Sequence, residues 1–147
     1  MLSILIIDDT EQKRQLIKTT LISNFDELSE SCFEEASCTN DGLKMLIDKQ
    51  YDLVLLDLFI TTSKNQNTPN PQNASNLLEQ ILEIDAIKMP SHILGITRMN
   101  LNELDGEQVN IFHKNLWDLL VYNDTESSWK DKLCTKIAYL IRAKKQL

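Results

Sequence analysis

The chain contains little glycine, proline or cysteine, and it has no long apolar run. Three Gly and three Pro among 147 residues exclude fibrous and low-complexity proteins. Cys32, Cys38 and Cys134 lack the spacing of metal ligands, so we expect them to be reduced thiols. The chain has no basic segment leading into an apolar stretch with a cleavage site, and no run of about 18 apolar residues. These absences predict a cytoplasmic protein without a signal peptide or a membrane span.

Negative charge dominates the chain but is distributed unevenly. The net charge is −7, composed of −12 over residues 1–128 and +5 over residues 129–147. An acidic body repels the phosphates of nucleic acid, so we expect no nucleic acid partner. The basic residues of the last segment are either a solvated helix face or a docking surface for an acidic protein or a second copy of the chain, that is, a homodimer.

Short apolar runs alternate with segments whose apolar residues recur at helical spacing. The predicted strands are residues 2–7, 31–36, 52–57, 92–97 and 109–112. Strands that alternate with helices need crossover connections, which predicts an α/β fold: a doubly wound, five-stranded parallel sheet with helices on both faces. We interpret residues 1–147 as a single domain with no separate output domain.

Four segments between or after these strands need separate predictions. Residues 61–76 contain five Asn and two Pro, which indicates a loop; it is either a tolerated insertion or a segment that shields a site or contacts a partner. Only residues 99–105 leave room for a helix before the fifth predicted strand. Residues 115–124 fit a short helix or a loop, and an extended final helix is expected at about 125–145.

The carboxyl ends of the predicted strands carry polar residues. Asp8 and Asp9 follow the first strand, Asp57 ends the third, Thr97 ends the fourth, and Lys114 follows the fifth. In an open parallel sheet, ligands bind beyond this edge. Each residue also has an ordinary interpretation, as a helix cap, a turn residue, a β-branched strand residue or a surface lysine, but together they predict one polar site.

Three carboxylates in one pocket repel each other unless a cation neutralises them. Hard oxygen ligands with open positions suit Mg²⁺. A lysine and a threonine hydroxyl nearby could hold phosphoryl oxygens, and an aspartate can itself be the nucleophile of phosphoryl transfer. The sequence therefore predicts phosphoryl chemistry that depends on Mg²⁺.

The residues at these strand ends, in this order, resemble the receiver domain of bacterial response regulators over about residues 2–114. That resemblance implies a flavodoxin-like sheet of order 2-1-3-4-5. It implies that Asp57 is phosphorylated, and that Asp9, supported by Asp8, binds Mg²⁺ together with Asp57 and the main-chain carbonyl of Phe59. It further implies that Thr97 and Lys114 bind the phosphoryl group and act as the switch residues.

Several positions depart from the family pattern. A Met-Pro turn with a glycine usually follows the phosphoacceptor, and the long Asn-rich segment follows it here. Asn115 stands where proline usually follows the lysine, and Ile111 stands three positions before Lys114, where many members have an aromatic residue. Phe112 is aromatic, but strand alternation would direct it to the opposite face.

The leading hypothesis is a stand-alone receiver, not an enzyme, that accepts a phosphoryl group from a histidine kinase or phosphotransfer protein. Its output would be phosphorylation-dependent binding of a downstream protein, or phosphorelay. The alternative is a receiver-like protein-interaction module that does not use phosphorylation. A phosphatase of the haloacid-dehalogenase type is disfavoured, because that family has a second acid two residues after its nucleophile and Phe59 stands there.

Overall fold

A computed structural model describes residues 1–64, 69–98, 104, 106–123 and 125–146. Five strands form one parallel sheet: β1 (Ile4–Ile7), β2 (Phe33–Ala36), β3 (Leu53–Asp57), β4 (His92–Thr97) and β5 (Asp118–Val121). The helices are α1 (Glu11–Asn24), α2 (Thr39–Asp48), α3 (Pro71–Glu83), α4 (Gly106–Lys114) and α5 (Ser128–Lys145). The strand order is β2-β1-β3-β4-β5, which confirms the predicted fold class.

The strands alternate their side chains between two apolar cores. Ile4 and Ile6 of β1 point to the face covered by α1 and α5, whereas Leu5 and Ile7 point to the face covered by α2, α3 and α4. All four are essentially fully buried. Because helices cover both faces, the strands have apolar residues at consecutive positions instead of an alternating pattern.

The fifth strand was predicted in the wrong place. Residues 109–112 belong to α4, and the strand lies at Asp118–Val121, within the segment that the sequence left open as a short helix or a loop. Gln108 and Phe112 are the buried residues of α4 and stand four apart, as one face of a helix requires. A short apolar run fits a strand and a buried helix turn equally well by periodicity, and here the helix forms.

The predicted loop 61–76 is shorter than expected, because α3 begins within it at Pro71. The side chain of Asn70 accepts a hydrogen bond from the backbone N–H of Gln72, so Asn70 caps the helix, and proline suits the first helical position. Asn73 Nδ2 donates to the carbonyl of Ile60 and ties the helix back to the end of β3. Residues 65–68 lie outside the described part of the chain, as does most of the predicted helix 99–105.

The final helix agrees with its prediction apart from a later start. Trp129, Leu133, Ile137 and Ile141 form its buried stripe. Three of its basic residues pair with carboxylates of the same chain: Lys136 with Asp118, Lys144 with Asp52 and Lys145 with Glu27. Three of the six basic residues in 129–147 therefore form ion pairs within the chain. Within the described residues, no helix is both long and apolar enough to cross a bilayer, and all three cysteines are free thiols.

Candidate phosphoryl and metal site

Three carboxylates meet at the carboxyl edge of the sheet. The parallel register pairs Ile7 of β1 with Leu56 of β3, so Asp8 and Asp57 follow at adjacent positions. Oxygens of Asp8, Asp9 and Asp57 lie within 4.8 Å of one another. Asp8 and Asp57 are buried, and Asp9 is partly exposed. The structure thus brings together the three acids that the sequence assigned to one site.

Backbone N–H groups two residues further on orient two of these carboxylates. The N–H of Thr10 donates to Asp8 Oδ1 at 2.9 Å, and the N–H of Phe59 donates to Asp57 Oδ1 at 3.1 Å. Such contacts between an aspartate and the backbone two residues on are the usual way in which Asp initiates a turn. They fix the side chains where the chain leaves the sheet.

A buried lysine that the sequence interpretation missed lies against the acids. Lys13 of α1 is only 2% exposed. Its Nζ lies 2.9 Å from Asp8 Oδ2 and 3.7 Å from Asp57 Oδ1. Its spacing contained a signal, because Lys13 stands four residues before Ile17 and eight before Leu21, on the buried face of α1. A lysine at the start of an apolar stripe, one turn after an acid pair, indicates a buried ion pair.

Thr97, Asp9 and Asp57 line one cavity of about 190 Å³. Thr97 ends β4 and is fully buried. Since a water molecule takes about 30 Å³ of liquid volume, the cavity can hold several groups of that size. Its lining residues are Asp9, Thr10, Lys13, Asp57, Phe59, Pro69, Thr97 and Arg98. Pro69 belongs to the Asn-rich segment, so this segment forms part of the cavity wall.

The sequence prediction for Lys114 is wrong. Lys114 ends α4, is exposed, and is followed by β5, which starts at Asp118. It therefore lies by the amino-terminal edge of the sheet, opposite the edge that carries Asp57. The residue that follows β5 is Tyr122, which is buried. The error in the fifth strand is the cause of the error in the lysine.

Burial raises the pKa of Asp57 to about 7, and the negative charges of Asp8 and Asp9 add to that effect. The ammonium of Lys13 and the hydrogen bond from the N–H of Phe59 oppose it. One lysine does not offset the cost of burying this carboxylate among other acids. The site therefore favours an additional positive charge, from a proton or a metal ion.

The donor set fits Mg²⁺. Opposite ligands of an octahedral Mg²⁺ ion are about 4.2 Å apart, because each bond is about 2.1 Å long. The oxygens of Asp8, Asp9 and Asp57 lie within 4.8 Å of one another, which is comparable to that separation. Carboxylate oxygens are also the ligands that this ion prefers.

Sequence comparisons match the chain to a curated protein but to no family model. No family model matches the sequence. The uncharacterized protein y4jS of Sinorhizobium fredii is 26% identical over 137 residues, which is 93% of this chain and 32% of that protein. The chain thus spans about a third of the length of that relative.

Solved receiver structures superpose on nearly the whole chain. The response regulatory domain of mrkE from Klebsiella pneumoniae has a TM-score of 0.64 at 15% identity, covering 99% of this chain and 100% of that one. The chemotaxis response regulator CheY4 of Vibrio cholerae has a TM-score of 0.65 at 16% identity, covering 93% and 98%. A CheY-like receiver domain protein from Methanospirillum hungatei has 0.62 at 19%, covering all of both chains. The chain has the receiver-domain fold, as the resemblance predicted.

Proposed function

We propose that this chain is a signalling receiver that accepts a phosphoryl group on Asp57. The observation that supports the proposal most strongly is the position of Asp57 at the end of β3, where it lines the same cavity as Asp9, Lys13 and Thr97. Phosphoryl transfer requires an in-line nucleophile and fixed positive or donor groups around the phosphorus. A carboxylate, an ammonium and a hydroxyl that could serve in these ways lie at this edge of the sheet.

Asp8, Asp9 and Asp57 would hold Mg²⁺, with the main-chain carbonyl of Phe59 as the further ligand that the resemblance suggests. When bound, Mg²⁺ would neutralise the acids and the charge on the phosphoryl oxygens. The chain's own contacts prepare the nucleophile. The backbone N–H of Phe59 and the ammonium of Lys13 both lie by Asp57 Oδ1, so Oδ2 is the oxygen that we expect to attack.

In the proposed step, a bond forms between Asp57 Oδ2 and phosphorus while the bond between phosphorus and the nitrogen of a donor histidine breaks. The departing imidazole takes up a proton from solvent. Thr97, which ends β4 and lines the cavity, would donate a hydrogen bond to a phosphoryl oxygen. The donor would be a histidine kinase or a phosphotransfer protein.

The output that we propose is binding of a downstream protein whose affinity differs between the phosphorylated and unphosphorylated forms. Relay of the phosphoryl group to a further histidine would use the same step in reverse. In either role the chain is a phosphoacceptor, not an enzyme that turns over a substrate.

The test is the intact mass of the protein after incubation with phosphoramidate and Mg²⁺. We expect one phosphoryl increment that disappears in Asp57→Asn and when EDTA replaces Mg²⁺. Asp85→Asn is the matched control, because Asp85 is exposed and lies outside the cavity; it should be labelled like the wild type. A phosphoryl increment that persists in Asp57→Asn would contradict the assignment of the nucleophile.

A second candidate function is a protein-interaction module that does not use phosphorylation. The observation that favours it is Lys13, whose ammonium already contacts Asp8 and Asp57 and thereby supplies part of the charge that a metal would bring. This second function would be favoured if no phosphodonor labels the protein and if calorimetry detects no Mg²⁺ binding.

A further inference from the structure

The residue that follows β5 is not a lysine, although the resemblance places the phosphoryl-binding lysine there. Tyr122 occupies this position, is 4% exposed, and its ring centroid lies 4.8 Å from that of Trp129. Its backbone N–H donates to the carbonyl of Thr97 at 2.7 Å, which holds it beside the end of β4. A core aromatic residue thus fills the position from which a lysine would reach the cavity.

Helix α1 brings a cation to the same cavity from a different element. Lys13 Nζ lies between the carboxyl ends of three strands: 2.9 Å from Asp8 after β1, 3.7 Å from Asp57 of β3, and 3.4 Å from the carbonyl oxygen of Ile96 in β4. The ammonium is buried, so water screens its charge weakly. Its field is therefore concentrated on Asp57 and the space beside it.

The contacts of Lys13 leave it able to engage a new acceptor. An ammonium has three N–H donors. Only the contact with Asp8 has the length of a strong hydrogen bond, whereas those with Asp57 and Ile96 exceed the usual 2.9–3.0 Å by about 0.4 Å or more. A phosphoryl group on Asp57 would bring charged oxygens into the cavity that Lys13 also lines, and a hydrogen bond of normal length from the ammonium to such an oxygen would be stronger than the long contacts with Asp57 and Ile96.

We propose that Lys13 of α1 binds the phosphoryl group on Asp57, in place of a lysine at the end of β5. This inference rests on the proposed phosphoacceptor function. It assigns Lys13 direct contact with the group that is transferred. Tyr122 then supports the ammonium, because Lys13 Nζ lies over its ring at 5.3 Å from the centroid, and Trp129 packs against Tyr122. The competing explanation is that Lys13 only holds Asp8 and the neighbouring strand ends in position, a structural role.

The two explanations differ in the effect of removing the ammonium on Mg²⁺. In the proposed role, the positive charge stabilises the phosphoryl group but repels the metal ion that the acids would bind. Loss of Lys13 should therefore slow phosphorylation and tighten Mg²⁺ binding at the same time. A structural role predicts that both properties weaken together, because Asp8 would lose its partner and the site its shape.

The experiment compares Lys13→Gln and Lys13→Arg with two lysine controls. Lys18→Gln removes another buried lysine of α1, which pairs with Glu30 and Glu35 away from the cavity. Lys114→Gln removes the exposed lysine that the sequence suggested. The measurements are the initial rate of labelling by phosphoramidate, followed by intact mass, the Mg²⁺ dissociation constant by calorimetry, and the urea midpoint as a check of folding.

We expect Lys13→Gln to be labelled at least about tenfold more slowly, which is less than the roughly hundredfold effect of removing a donor dedicated to a developing charge, because Asp8 engages part of the ammonium. We also expect it to bind Mg²⁺ severalfold more tightly. Both controls should stay within about twofold of the wild type in rate, since neither lysine touches the cavity. Should Lys13→Gln fail to fold, Lys13→Arg decides: it retains the charge in a larger planar group, so the labelling rate falls while Mg²⁺ affinity stays near the wild-type value.

The outcomes separate this inference from the function on which it rests. Equal labelling rates for the wild type and Lys13→Gln would overturn the role of Lys13 and leave the phosphoacceptor function intact. Parallel loss of labelling and of Mg²⁺ affinity in Lys13→Gln would assign Lys13 a structural role and likewise overturn the inference. Absence of labelling in the wild type itself would contradict the proposed function, and with it the inference.

Discussion

Replacing Asp57 with asparagine should stabilise the metal-free protein near pH 8. Burial, helped by the charges of Asp8 and Asp9, raises the pKa of Asp57 from 3.8 to about 7. A shift of that size means that ionising Asp57 costs about 4 kcal/mol more in the folded protein than in the unfolded chain. That shift already includes the attraction of Lys13. Asparagine can still accept the N–H of Phe59, but its amide group places two donors where a carboxylate oxygen accepted, which offsets part of the gain. We therefore expect a net gain of about 1–3 kcal/mol in the free energy of unfolding.

The sign of the pH dependence follows from the same shift. Because the pKa of Asp57 is higher in the folded state, the folded protein binds the proton more tightly between about pH 4 and pH 7, so wild-type stability falls as the pH rises through that window. Asp57→Asn lacks this titration. The stability difference between variant and wild type should therefore be about 2–3 kcal/mol larger near pH 8 than near pH 5.

The assay is equilibrium urea unfolding in EDTA at both pH values, followed by circular dichroism, with Asp85→Asn as the control. Asp85 is exposed, so its substitution should change stability by less than about 0.5 kcal/mol at either pH. A wild type that is more stable than Asp57→Asn near pH 8, or a difference that does not change with pH, would refute the reasoning. Either result would mean that the surroundings of Asp57 compensate its charge without a metal ion.

Two further predictions concern the packing that supports the site. Gly95→Ala should lower the free energy of unfolding by about 1–3 kcal/mol, because an added Cβ would lie 2.7 Å from Leu119 Cδ2 and 2.9 Å from Phe112 Cζ. At Gly106 an added Cβ meets nothing within 4 Å, so Gly106→Ala should be neutral or stabilising by up to about 1 kcal/mol. Urea midpoints that rank the two variants the other way would contradict this packing. Trp129→Ala removes a fully buried side chain and should cost about 3–5 kcal/mol, which a loss below about 1 kcal/mol by the same assay would disprove.

Strands β1, β3 and β4 could be predicted from the sequence because each is a short, mainly apolar run that ends at a polar residue. Strand β2 has two glutamates at its centre and gave a weaker signal. The fifth strand could not be predicted, because the run at 109–112 is as apolar as β5 and shorter than a helix normally needs. What decided between them was tertiary packing. Phe112 fits over Gly95, where a larger residue would collide with it, and the ring centroid of Trp117 lies 6.0 Å from that of Phe112.

The acids of the site could be predicted and its lysine could not, for a related reason. Asp8, Asp9 and Asp57 follow strands whose positions the apolar runs define, so their meeting at one edge is a consequence of parallel pairing. Lys13 lies one turn into a helix, and its direction depends on how α1 packs against the sheet. The family resemblance predicted a lysine directly after the fifth strand, but Tyr122 occupies that position.

The charge balance of the site connects these observations. Asp8, Asp9, Asp57 and Lys13 together carry a formal charge of −2 when all are ionised, and most of this charge is buried. A cluster of this kind costs stability, and a chain selected for stability alone would be expected to replace one acid with a neutral residue. A divalent cation matches the residual charge. We therefore propose that the arrangement is adapted to bind Mg²⁺, with Lys13 beside the carboxylate that would receive the phosphoryl group.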